Sequence, residues 1–309
     1  MLANFFGKSN PINVIIIWLI FLAFFIAIIL ESFSGKNIDS SLLLYYISII
    51  LLFMGLFFGY TFILEKNKLT LYNSYGFLFF ALFFGFFPET MLDRTEVIFN
   101  LGVLIFLRKI YSFRTAKEMH KKIFDSGFWL GILFLMEPRT AIFGILVIVS
   151  IVVFQKITMR KFLISLVGFI VPVFCYFSYC FWDNSTAKFE KLFIWYSDYN
   201  FEIYNANSFI IPLVILGVFT LISIILKTPK VFSISGSYRK YWILIILNFL
   251  VAMTVILTQN KHKSTKVMLL FFPMSIILAN WLEGIKTPFY KNLFLALFIG
   301  SPFLLFFIF

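Results

Sequence analysis

The sequence predicts an all-α, polytopic membrane protein. Apolar residues make up 61% of the 309 positions and charged ones only 13%, where a soluble domain carries about 25% charged residues. Phe alone occurs 46 times. No aqueous fold hides that much apolar surface, so the bilayer must act as solvent. The apolar residues also come in long runs, separated by short charged loops.

The runs can be justified in order. Residues 12–30 follow a single Lys8 and end without a small-residue cleavage site, so they read as a retained helix, not a signal peptide. Residues 41–64 form a second run near the ~20 residues that cross the hydrocarbon layer. Residues 75–87 are shorter and stop at Pro88, and 96–107 run into a basic tail. Residues 127–136 and 141–154 are parted only by Glu137, Pro138, Arg139 and Thr140. Runs at 162–182, 208–226, 241–258, 266–282 and 292–309 complete the set. The expectation is about eleven segments, seven of near-full length and four short or broken, in one integral membrane domain over 1–309. Between the fourth and fifth, Ile110, Tyr111, Phe113, Met119 and Ile123 alternate with bases. That pattern predicts an interfacial helix along an anionic leaflet.

The basic balance of +12 does not point to nucleic acid, because the bases sit in short loops between apolar runs. There they act as topology signals. Most Lys and Arg fall on one side if the N-terminus is cytoplasmic, notably in 108–122, 156–161 and 227–240. The basic loops on both sides of 127–154 require that segment to enter and return. The expected location is a bacterial inner membrane. Cys175 and Cys180, five apart on a helix, do not share a face and read as small core residues. The spacings Ala23/Ala27, Gly55/Gly59 and Gly127/Gly131 permit close helix packing within the chain.

The candidate site residues lie in the loops on the opposite, outer side. Glu31 and Asp39 occupy the first and Arg94 the second, among Asp93 and Glu96. Asp93 and Glu96 have the spacing of an N-cap with its partner three residues on. Arg139 sits in the third loop. Trp195, Tyr196 and Tyr199 in the fourth form either an interfacial aromatic belt or a sugar-stacking surface. The fifth loop concentrates Lys261, His262, Lys263 and Lys266 in a stretch where the positive-inside rule disfavours them. Ammonium groups clustered at headgroup level suit phosphate or pyrophosphate.

This last motif, Lys261-His-Lys-Ser-Thr-Lys-Val-Met-Leu-Leu-Phe-Phe-Pro273, resembles the late loop of GT-C-type membrane glycosyltransferases, which use lipid-phosphate-linked sugars. The short, split segments around Pro88 and Pro138 fit the same superfamily. The start, Met1-Leu-Ala-Asn-Phe-Phe-Gly-Lys-Ser-Asn-Pro-Ile-Asn13, also resembles an uncharacterised membrane-protein family of Bacteroidota. The GT-C resemblance implies transfer of a sugar from a polyprenyl phosphate at the outer face. Asp39 or Glu31 would be general base. Lys261, His262, Lys263 and Lys266, with Arg94 and Arg139, would hold the phosphate. Trp195, Tyr196 and Tyr199 would bind the acceptor. It admits a divalent metal between carboxylate and phosphate, although no ligand spacing marks a metal site. The first outer loop is shorter than that superfamily's, and no large outer domain is present. A second reading stands beside it: a non-enzymatic membrane protein, either a transporter or flippase for an anionic lipid or a subunit of an envelope complex. Membrane lipids are partners under both.

Overall fold

The computed structural model describes residues 2–33, 40–115, 117–155, 158–194, 207–233, 236–258 and 264–308. These residues are all-helical, with no strand among them. The α-helices in chain order are α1 (Leu2–Phe6), α2 (Pro11–Phe33), α3 (Ser40–Asn67), α4 (Tyr75–Phe86), α5 (Arg94–Tyr111), α6 (Met119–Met136), α7 (Gly144–Phe154), α8 (Met159–Trp182), α9 (Thr186–Glu190), α10 (Asn207–Phe232), α11 (Ser237–Leu257), α12 (Met268–Glu283) and α13 (Pro288–Ile308). The predicted apolar segments overlap these helices, except that residues 141–143 lie in the 3₁₀ turn Pro138–Phe143 and 266–267 in the turn Ser264–Val267. Six (α2, α3, α8, α10, α11 and α13) are long and apolar enough to cross a membrane, which makes the chain a multi-pass helical membrane protein. Large apolar side chains such as Leu44, Phe58, Phe174 and Leu297 stand exposed on these helices, as a lipid-facing surface requires.

Two expectations need correction. The segment 266–282 does not form a near-full-length helix. Residues Ser264–Val267 are a 3₁₀ turn and α12 begins only at Met268, because Lys266 is drawn back into the protein, as described below. The stretch 108–122 is not an interfacial helix either. Helix α5 continues to Tyr111, a 3₁₀ turn covers Ser112–Arg114, and α6 starts at Met119. Ile110, Tyr111, Phe113, Met119 and Ile123 are all buried in protein. Lys109 pairs with Asp125 at 2.7 Å, so this charge serves the turn between two helices.

The chain divides into two compact units. The first comprises Met1–Ile98, Phe201–Ile234 and Lys263–Phe309. Its centre is α4, every residue of which is buried, packed against α12, which is buried along nearly its whole length. A helix apolar on all sides has no solvent-facing stripe and belongs in an interior. Helices α2, α3, α10 and α13 surround this pair. Phe21, Phe53, Phe57, Phe80 and Phe84 interlock with centroid separations of 4.8 to 6.5 Å, edge-on or tilted. Such geometry suits the ring quadrupoles. It matters here because lipid provides no hydrophobic force between helices, which leaves packing to hold them. Gly85 lies under the Phe24 ring, where a Cβ would stand 2.7 Å from the ring carbons.

The second unit comprises Phe99–Asn200 and Ser235–His262. Its tightest contact is α6 on α8. A Cβ on Gly127 would lie 2.1 Å from the Ser165 carbonyl, one on Gly131 2.5 Å from that of Phe169, and one on Gly168 2.3 Å from that of Phe124. The Gly127/Gly131 spacing is therefore a backbone-to-backbone contact within the chain. Gly55 and Ala23, by contrast, lie on exposed helix faces. Helix α11 packs on α7, with Tyr241 against the Phe154 ring and its hydroxyl donating to the Tyr111 carbonyl. Both cysteines are free thiols; Cys180 is buried as a small core residue, but Cys175 is exposed on α8, contrary to expectation.

Candidate functional site

The strongest concentration of buried charge lies at one end of the first unit, where two broken helices meet. Helix α4 stops because Pro88 follows Phe87, and Phe87 leaves the helical region with φ −132° and ψ 69°, since a following proline disfavours the α conformation. The turn Pro88–Met91 then packs on the turn Ser264–Val267. Thr90 closes its own turn through a hydrogen bond to the Phe87 carbonyl. The Phe87 ring stacks on Phe271 of α12. Tyr45 of α3 donates to the Leu92 carbonyl at 2.8 Å, which pins the loop before α5.

Asp93 caps α5: its Oδ1 accepts hydrogen bonds from the backbone N–H groups of Thr95 at 3.0 Å and Glu96 at 3.2 Å. That arrangement satisfies two helix-end donors. The expected capping role therefore holds for Asp93. Glu96 has a different partner. Its side chain is only 2% exposed, and its Oε1 lies 2.8 Å from the Lys266 ammonium, itself 11% exposed. Glu96 also sits in the first turn of α5, where the helix dipole favours a negative charge.

A second polar cluster occupies the other end of α12, 16 residues away, or about 24 Å at the helical rise. Asn13 donates to the carbonyls of Phe5 and Lys8. Tyr75 donates to the Ala3 carbonyl, and the Ala3 N–H donates to Asn292 of α13. Glu283 accepts from Asn73 at 2.6 Å and from the Leu71 N–H at 3.0 Å, and Asn280 donates to the Leu69 carbonyl. These bonds tie the N-terminus and the α3–α4 connection to α12 and α13. Each goes largely to backbone groups that would otherwise lack partners, so the cluster reads as architecture.

The predicted site residues distribute as follows. Lys266 lies in the buried pair, and Arg94 is exposed at the start of the same helix that carries Glu96. Glu31 is exposed near the end of α2. Helix α2 starts beside Ser74, runs along α4 with Phe24 over Gly85, and packs on the Pro88–Met91 turn. That path brings Glu31 to the Glu96 end of the unit. Arg139 belongs to the second unit, on the turn Pro138–Phe143. Asp39, Lys261, His262, Lys263, Trp195, Tyr196 and Tyr199 lie outside the described residues. Among the described residues, no cluster of three or more His, Cys, Asp or Glu side chains is arranged to hold a metal ion. Glu96 is the residue that sequence reasoning missed as a site residue. Its spacing to Asp93 supplied a sufficient local explanation, although a carboxylate at the head of an apolar helix already invited a partner.

No curated protein and no solved structure shows a significant match to the chain. One family model does match it, over residues 1–309, and by that match the chain belongs to the Family of unknown function (DUF6427).

Proposed function

We propose that this chain is a GT-C-like glycosyltransferase that takes a sugar from a polyprenyl phosphate at the Glu96–Lys266 end of its first unit. The observation that carries the reading is the buried pair itself. An ionisable residue inside an apolar bundle marks a functional site by default. This one anchors the end of the basic run that starts at Lys261, and it does so where two helices stop short. Glu96 holds the Lys266 ammonium at a fixed point. Lys261, His262 and Lys263, which lead into Lys266 along the chain, and Arg94 at the start of α5 add positive charge for the phosphate. Glu31 or Asp39 removes the acceptor hydroxyl proton while the acceptor oxygen attacks the anomeric carbon. The anomeric carbon–oxygen bond breaks, and the polyprenyl phosphate leaves with the electron pair, its charge stabilised by the lysines. Eleven segments cross or enter the inner membrane, with the N-terminus cytoplasmic and this end outward. A divalent cation between carboxylate and phosphate is compatible with the chemistry.

The non-enzymatic reading, a flippase or an envelope-complex subunit, draws on the short buried helices α4 and α12, since transporters also build sites from interrupted helices. Surface glycans separate the two. A deletion strain and strains carrying Asp39→Asn, or Lys261→Gln with Lys263→Gln, should lose the same glycan in mass-spectrometric profiles. Unchanged glycans in all three, together with a stoichiometric partner captured in mild detergent, would favour the subunit.

A further inference from the structure

The far end of the first unit carries a groove of about 600 Å³ between α10, the end of α12 and α13. That volume falls within the range of ligand pockets. Its walls are Phe219, Leu226, Trp281, Leu293, Phe294 and Leu297. The aromatic walls are braced, with Trp281 on Phe294 at 4.8 Å and Phe219 on Phe294 at 5.5 Å. At one end the lining changes to Lys227, Lys230 and Gly284. Lys227 is half-buried, within electrostatic reach of Glu283 and Lys230. A Cβ on Gly284 would come within 3.7 Å of its ammonium. The Lys291 ammonium approaches the Glu283 carbonyl at 3.4 Å. Lys227 and Lys291 lie within electrostatic reach of the Glu283 carboxylate, and Lys230 adds a third ammonium at this end of the groove, a net positive head above an apolar trough.

We infer that this groove binds an anionic phospholipid from the surrounding bilayer, one acyl chain in the trough and the headgroup phosphate on Lys227 and Lys230. The charge fits a phosphate, and the lining fits a hydrocarbon chain. Basic pockets between membrane helices bind anionic headgroups in this way. The site lies at the opposite end of α12 from the Glu96–Lys266 pair and does not depend on the proposed transferase activity.

The test uses the full chain in nanodiscs of phosphatidylcholine with or without phosphatidylglycerol. Native mass spectrometry should retain one phosphatidylglycerol per chain, and phosphatidylglycerol should raise the melting temperature. Lys227→Gln and Lys230→Gln should each weaken retention about fivefold, from the usual attraction of one lysine to an anionic leaflet. Leu297→Trp, which fills the trough and keeps both charges, should displace the lipid as well. The melting temperature of each variant in pure phosphatidylcholine reports folding. Equal retention of both lipids, full retention in a folded lysine variant, or an equal shift with inorganic phosphate alone would overturn the inference.

Discussion

Glu96 and Lys266 stand 170 positions apart, yet they meet as a salt bridge at 2.8 Å. Taking either out of water is expensive, and the pair survives because its members meet at hydrogen-bond distance. Removing one takes from the other, still buried, the opposite charge it pairs with at 2.8 Å. Glu96→Gln or Lys266→Met should therefore destabilise the folded protein by about 3–5 kcal/mol. Replacing both, Glu96→Leu with Lys266→Met, should recover most of that loss. Thermal unfolding in detergent checks both, and a double variant as unstable as the worse single would contradict this account of the pair. The pair was not legible in the sequence. Lys266 stood out because it belongs to a basic run, but Glu96 seemed explained by Asp93, three residues before it. Only the packing of the Pro88–Met91 turn on the Ser264–Val267 turn brings the two together. The Asp93 cap, a local device, was legible because its partners are two and three residues away.

The helices themselves were readable wherever apolar runs are long and bounded by Pro or charge, since a backbone in lipid must satisfy its own hydrogen bonds. Their faces were less readable. The three small-residue spacings look alike in sequence, yet Gly127/Gly131 meets α8 at backbone distance, while Ala23 and Gly55 lie exposed. A spacing marks a stripe and does not name the partner that covers it. The α6–α8 contact gives a prediction at this scale. Gly131→Leu would drive a side chain into the Phe169 carbonyl and the Pro172 ring. The helices would have to part, at about 1–3 kcal/mol or more. Gly55→Leu, on an exposed face, should cost little. Unfolding midpoints measured side by side decide this, and equal losses at the two sites would contradict the assigned packing. The same logic explains the misread stretch 108–122. Its alternation of apolar and basic residues suits a membrane surface, but the apolar side found protein.

At the scale of the molecule, the loop charges imply an orientation that chemical labelling can read. After Cys175→Ser and Cys180→Ser, a Cys at Asn184 should react with a membrane-impermeant thiol reagent in spheroplasts. One at Lys121 should react only after lysis. The reverse pattern would invert the proposed topology and move the Glu96–Lys266 end to the cytoplasm. The central claim is that this end receives a polyprenyl phosphate, and binding tests it most directly. The purified chain would sit in nanodiscs that already contain phosphatidylglycerol, which saturates the separate groove at the other end of α12. Titrated polyprenyl phosphate should bind saturably at one site per chain, and Lys261→Gln with Lys263→Gln should weaken it roughly thirtyfold, about fivefold per lysine. Binding no stronger than that of added phosphatidylglycerol, or unchanged in the folded double variant, would contradict the claim.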